Sequence, residues 1–460
     1  MQSSSRWSFY GNPLLIIALT AAASACGDSG SSGSGTINGD PVAVATVSAA
    51  TITGGATASG LIGLSGNAKC DVKVSTIDYD TVGGKGENTN GTAAVMVPSG
   101  SDPACIGGRP IVLFAHGTDA NKNKNMANVT GDGEAGLAMT LFAAQGYIVV
   151  APNYAGYNAS KLLYHPYLNA DQQSQDMIDA LRATRSSLTK LGATASSKLF
   201  VTGYSQGGFV AMATVKAIQT KYSGEFTVTG SAPLAGPYSL LKIATLPLAN
   251  PALQGVGAAF FTPLVVDSYQ NSYGNIYTTP AEIYAPAYAP NMVGLFPTTD
   301  VAAAAAKLPA GDGTFRTLYD LGNGQPFLIN KAYQTAALDP ASNYQKAFAR
   351  NDLTTGWKPT SPMALCHGGA DLTVNKFNSV DAAAAFASPS SVFRWDIEDA
   401  ATLPPGTAAL KAGFDAQKAA AITQAGGGVV GEATVIASSY HGGLVPPYCY
   451  KLAAVFFAGL

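Results

Sequence analysis

Ser205 lies in Gly203-Tyr204-Ser205-Gln206-Gly207, a match to G-x-S-x-G. In that pattern a serine projects from a strained turn between a strand and a helix. Glycines flank it because side chains there would strike neighbouring backbone. A serine hydroxyl attacks well only when a base takes its proton. Histidine suits that task at neutral pH, because its unperturbed pKa of about 6.5 lets it accept and return a proton. The chain offers four: His116, His165, His367 and His441. A carboxylate must orient the base and stabilise its imidazolium form. Asp371, in His367-Gly-Gly-Ala-Asp371-Leu-Thr-Val374, stands just beyond an apolar strand-like run; Asp396, Glu398 and Asp399 follow the next one. Charge developing on an attacked carbonyl oxygen calls for backbone N–H donors. Gln206, directly after the serine, supplies one. Phe114-Ala-His116-Gly117-Thr118 can supply the second, with Gly117 permitting the turn and Thr118 the favoured donor of the two.

The elements around these residues alternate. Antiparallel strands are expected first, in VAVATV, CDVKVSTIDYDTV and GTAAVMVP from about residue 43. After Pro110 come apolar strands at 111–116, 147–153 and 198–203, with helices around 135–145, 171–191 and 206–221. Continuous apolar runs are expected of parallel strands buried on both faces. Met177, Leu181, Thr184, Leu188 and Leu191 step by three and four, and Gly192 is the expected end of that helix. Regularity breaks from 247 to 358, a stretch rich in Pro, Tyr, Phe and Ala, read here as an inserted, largely helical cap. Alternation resumes with strands at 362–368 and 391–397, a helix at 376–387, a helical excursion at 406–424, a strand at 433–438 and a terminal helix at 448–458. The fold class is therefore α/β, a mostly parallel, doubly wound sheet. Residues 43–246 and 359–460 are its two parts.

The HGT segment at 116–118, GYSQGG at 203–208, G-x-x-D-x-x-V at 368–374 and the late His441 resemble a secreted α/β-hydrolase, similar to the bacterial and fungal secretory lipase/esterase group. The resemblance covers roughly 105–245 and 355–460. In the α/β-hydrolase order the triad runs Ser, acid, His. That order sets aside His116 and His165. His367 precedes a better-placed acid by four residues, which leaves Ser205, Asp371 and His441. The chain departs from the group in its long Asp371–His441 separation, filled by the 400–430 excursion.

Of the 460 residues 47% are hydrophobic and only 12% charged, with a net charge of −2. That excludes disorder, and no Lys/Arg field exists to hold nucleic acid. Residues 1–25 read as an export leader, whose apolar core of about ten residues is too short to span a bilayer. Cys26, followed by the flexible tether 26–42, resembles a bacterial lipoprotein box, which would attach the protein to a membrane; ordinary secretion is the alternative. Either way the protein is expected outside the cytoplasm or at the cell surface. The remaining cysteines are even in number, and the favoured pairing is Cys70–Cys105 with Cys366–Cys449. No metal or cofactor motif is present.

The expected activity is carboxylic ester hydrolysis on a hydrophobic substrate. Phe260, Phe261, Tyr269, Tyr273, Tyr277, Tyr284, Tyr288 and Phe296 would give the cap an apolar, aromatic lining, unless they only hold it to the body. A serine peptidase resembling prolyl aminopeptidases is the alternative, although Asp267, Glu282 and Asp300 are too scattered to form an amine site. A binding module with a decayed site is weaker still, since all three triad residue types are present.

Overall fold

The computed structural model describes residues 34–253, 255–310, 317–387 and 391–460. The expected leader, Cys26 and the first part of the tether lie outside them. Within the described residues nine strands make one sheet: β1 (Val42–Val47), β2 (Asp71–Val82), β3 (Asn88–Ser99), β4 (Gly108–Ala115), β5 (Ile148–Pro152), β6 (Thr194–Tyr204), β7 (Gly230–Leu234), β8 (Met363–His367) and β9 (Val392–Asp396). Their order is β1-β2-β3-β5-β4-β6-β7-β8-β9. β1, β2, β3 and β5 pair antiparallel; from β5 onward every pair is parallel.

Alternation along β4 explains why both faces are covered. Ile111, Leu113 and Ala115 join one apolar cluster with residues of the helices Ala170–Ser187 and Gln206–Thr220. Val112 and Phe114 join the other, with residues of the helices Gly133–Leu141 and Pro446–Ala458. A strand between two such layers must be apolar at every position, as IVLFA is.

One local expectation fails. The strand expected at 433–438 is instead the end of the helix Gly428–Val435 and the start of a π-helical stretch, Ile436–Leu444. Thr434 and Ser438 hydroxyls donate to the carbonyls of Val430 and Thr434, four residues back, contacts that only a helix brings within reach. A short apolar run does not by itself distinguish strand from helix. Conversely, Gly-Ser-Ala-Pro-Leu forms β7, a central strand that the sequence reading did not identify, because it carries no β-branched residue.

Between β7 and β8 the chain is helical in pieces, among them Leu240–Ala249, Ala258–Tyr273 and Asn343–Asn351. The boundary expected at Pro247 falls inside the first of these. This segment is stitched to the sheet's loops by backbone: Thr298 N–H donates to Ala120 (2.8 Å), and Val256 N–H to Leu372 (3.1 Å).

Candidate active site

Ser205 caps the start of the helix Gln206–Thr220 with φ 60° and ψ −123°, a conformation a non-glycine residue adopts only under constraint. The constraint is close approach. A Cβ on Gly203 would stand 2.4 Å from the Ala115 carbonyl oxygen, and one on Gly207 only 2.0 Å from the same atom. Ser205 N–H donates to Leu234 of β7 (3.0 Å), which fixes the turn from the other side.

His441 and Asp371 meet this serine. His441 Nε2 is 2.8 Å from Ser205 Oγ, and Nδ1 is 2.6 Å from Asp371 Oδ2. The carboxylate can only accept there, so Nδ1 carries the proton and Nε2 is free to accept the serine's. Asp371 is itself held: its Oδ1 accepts the N–H groups of Thr373 and Val374, both at 2.9 Å. The other carboxylates considered have different partners. Asp396 faces His367 at 3.5 Å, Glu398 accepts from Tyr440 Oη and pairs with Lys418 at 2.9 Å, and Asp399 accepts Ala401 N–H at 3.0 Å.

The remaining histidines are buried. Burial lowers the pKa of His116 to about 3 and that of His165 to about 4, so both are neutral at pH 7. His116 stacks on Tyr154, with ring centroids 4.1 Å apart. His165 Nδ1 donates to Ala155 O (2.9 Å), which leaves Nε2 to accept from Gln206 Nε2 (2.7 Å). The sequence reading missed this brace on Gln206, because it joins positions 41 apart.

Of the two residues read as carrying the second N–H donor, Gly117 has its amide engaged. Its amide donates to both carboxylate oxygens of Glu134, at 2.9 and 3.0 Å, and is not free for a substrate. Among the described residues no hydrogen bond engages the N–H of Thr118 or of Gln206. Thr118 Oγ1 pairs with Tyr167 Oη at 2.8 Å. The cysteines pair as Cys70–Cys105 and Cys366–Cys449.

Ser205 and Gln206 form part of the wall of a cavity of ≈ 530 Å³. Much of the rest is aliphatic: Leu240, Ile243, Leu246, Leu248, Val256, Val265, Val266, Ile283, Ile329 and Val374. Of the eight cap aromatics singled out in the sequence, only Phe261 lines it. Tyr269 and Tyr284 are buried in packing instead. Tyr167, Tyr319, Tyr333, Tyr344, Phe348 and Phe377 supply the rest of the aromatic wall. Among the described lining residues Lys242 is the one ion and no carboxylate appears. No three His, Cys, Asp or Glu side chains among the described residues are grouped to hold a metal ion.

Comparison with known proteins bears on the fold and the family likeness. A secretory lipase family model matches residues 133–271, which include the serine turn. The esterase LipA of Xanthomonas oryzae, described as degrading rice cell wall, superposes with a TM-score of 0.68 at 27% identity, covering 79% of this chain and 91% of that one. A ligand-bound form of it gives 0.69 at 28%, with the same coverage. A Legionella pneumophila protein at 18% identity (TM-score 0.66, 92% of this chain, 98% of that one) bears on the fold alone. A search of curated proteins found no match. The chain has the α/β-hydrolase fold and resembles secretory lipases and esterases; that likeness and the two disulfides point to an extracellular protein.

Proposed function

We propose that this protein is an exported serine hydrolase that cleaves carboxylic esters of apolar acyl groups through an acyl-enzyme, with Ser205 as nucleophile, His441 as base and Asp371 as its orienting acid. The observation that carries the reading is the unbroken run Ser205 Oγ–His441–Asp371, with Ser205 opening into an aliphatic cavity. Ser205 Oγ attacks the ester carbonyl carbon as His441 Nε2 takes its proton. The carbonyl electrons move to oxygen, and the N–H groups of Gln206 and Thr118 receive that charge. Collapse breaks the C–O bond, His441 returns the proton to the departing alkoxide, and the acyl group stays on Ser205. Water, activated by His441, then releases the acid and restores the serine.

The aliphatic wall suits an acyl chain. A peptidase that recognises a free amine would need a carboxylate, and the described lining supplies none. The likeness to an esterase that degrades rice cell wall makes polymer-borne esters a class to test alongside soluble ones. Attachment through a lipidated Cys26 is proposed for the exported chain, and the mass of the mature N-terminal peptide tests it: a diacylglyceryl adduct supports it, a free thiol refutes it.

The test of function is a panel of p-nitrophenyl esters of graded acyl length, polymer-borne esters and aminoacyl anilides, run on wild type and Ser205→Ala. Turnover of the esters that vanishes in the variant supports the reading. Anilide turnover above ester turnover, or an active Ser205→Ala, overturns it.

A further inference from the structure

The loop after β4 is tied to an ion cluster outside the serine–histidine–aspartate run. Glu134, in the first turn of the helix Gly133–Leu141, receives the Gly117 amide on both carboxylate oxygens (2.9 and 3.0 Å). Gly117 lies against the serine turn: a Cβ placed on it would be 3.4 Å from the Tyr204 carbonyl oxygen. The ammonium of Lys124, only 5% exposed, stands 2.7 Å from Asp132, 3.5 Å from Glu134 and 3.7 Å from Asp119. Burial alone would lower its pKa, but the three carboxylates hold it above the ordinary value, so it stays charged.

Thr118 is thereby fenced on both sides. Before it, Gly117 is fastened to Glu134. After it, the Asp119 carbonyl accepts from Tyr157 Oη (2.5 Å) and the Ala120 carbonyl from Thr298 N–H (2.8 Å). An uncompensated carboxylate behind the donor would oppose a developing oxyanion; Lys124, shared with Asp132 and Asp119, offsets part of that charge. A backbone donor contributes most when its direction is fixed before the reaction.

We propose that Glu134, with Lys124 as its counter-ion, is a positioning residue for the oxyanion hole. It withdraws the Gly117 amide and so fixes the following one, Thr118 N–H, towards the oxygen that becomes negative. This rests on Ser205 being the nucleophile.

The test compares Glu134→Gln, which keeps one acceptor oxygen, with Glu134→Met, which keeps none. Glu134→Gln, close to Glu in volume, stands in if the Met variant does not fold. Two quantities are read well below each variant's melting temperature: kcat and KM on a p-nitrophenyl ester, and the inhibition constant of an alkyl trifluoromethyl ketone, whose adduct with Ser205 carries an oxyanion. The expected result is a kcat lowered about 10-fold for Gln and about 100-fold for Met, with KM within about 3-fold of wild type. Ketone affinity should fall by the same factor as kcat. If Glu134→Met, or Glu134→Gln where the Met variant does not fold, keeps kcat and ketone affinity within about 3-fold or changes KM alone, the inference is overturned. Ser205→Ala, run alongside, separates the two readings. If it is active, the nucleophile assignment falls and this inference with it; if it is dead while Glu134→Met keeps kcat, this inference alone falls.

Discussion

The two sides of the proposed reacting pair, Ser205 and His441, are held in different ways. Ser205 is fixed by backbone: Gly203 and Gly207 lie so close to the end of β4 that a methyl group has no room, and Leu234 of β7 takes the serine N–H. His441 stands off the sheet on the π-helical stretch Ile436–Leu444, beyond an excursion whose tip exposes Val429 and Val430. What holds it is side chains. Its neighbour Tyr440 donates to Glu398, Lys418 pairs with Glu398, and Cys449 is bonded to Cys366, five residues before Asp371. Steric close approach tolerates no change, whereas side-chain bonds can be removed one at a time. Changes near the serine should therefore be all-or-none, and changes near the histidine graded.

The largest effect is expected at Gly207. Gly207→Ala puts a methyl group 2.0 Å from the Ala115 oxygen and should cost more than about 4 kcal/mol, read as loss of soluble folded protein. A variant that folds and melts like wild type would break the contrast. Next come the proposed base and acid. His441→Ala should lower kcat by about 10³-fold or more, and Asp371→Asn somewhat less, both without loss of fold. If Asp371→Asn is nearly silent while Asp396→Asn or Asp399→Asn is severe, the acid lies one strand further on. The smallest effect belongs to the cross-links. Replacing Cys366 and Cys449 by Ser should lower the melting temperature, as losing about 2–4 kcal/mol does, and reduce kcat several-fold because the two triad loops can part. Replacing Cys70 and Cys105 should lower the melting temperature alone. An unchanged kcat in the first pair would show that Tyr440, Glu398 and Lys418 suffice to hold His441.

The same contrast explains what could be read from the sequence. Ser205 was legible because its requirements are local: two glycines, a preceding apolar strand and a following helix. The parallel strands were legible as continuous apolar runs, but β7 was not, because its burial comes from its neighbours and leaves no mark on Gly-Ser-Ala-Pro-Leu. The stretch at 433–438 was misread, since a short apolar run fits either period and only the hydroxyl contacts of Thr434 and Ser438 reveal the helix. The cavity wall was misplaced for a related reason. Most of the cap aromatics are spent on packing, and the aliphatic residues of Leu240–Ala249 and Ala258–Tyr273 take their place on the wall. Glu134 on Gly117 and His165 on Gln206 join residues 17 and 41 positions apart, and no local pattern announces such pairs.

The central claim is that an acyl group is carried on Ser205 after His441 takes its proton. The direct measurement is rapid acid quenching during turnover of a slow p-nitrophenyl ester, followed by peptide mass spectrometry. The account predicts an acyl adduct on the peptide containing Ser205 in wild type, and none in His441→Ala quenched at the same time. An adduct on another residue, or turnover with no covalent adduct at any quench time, would contradict it.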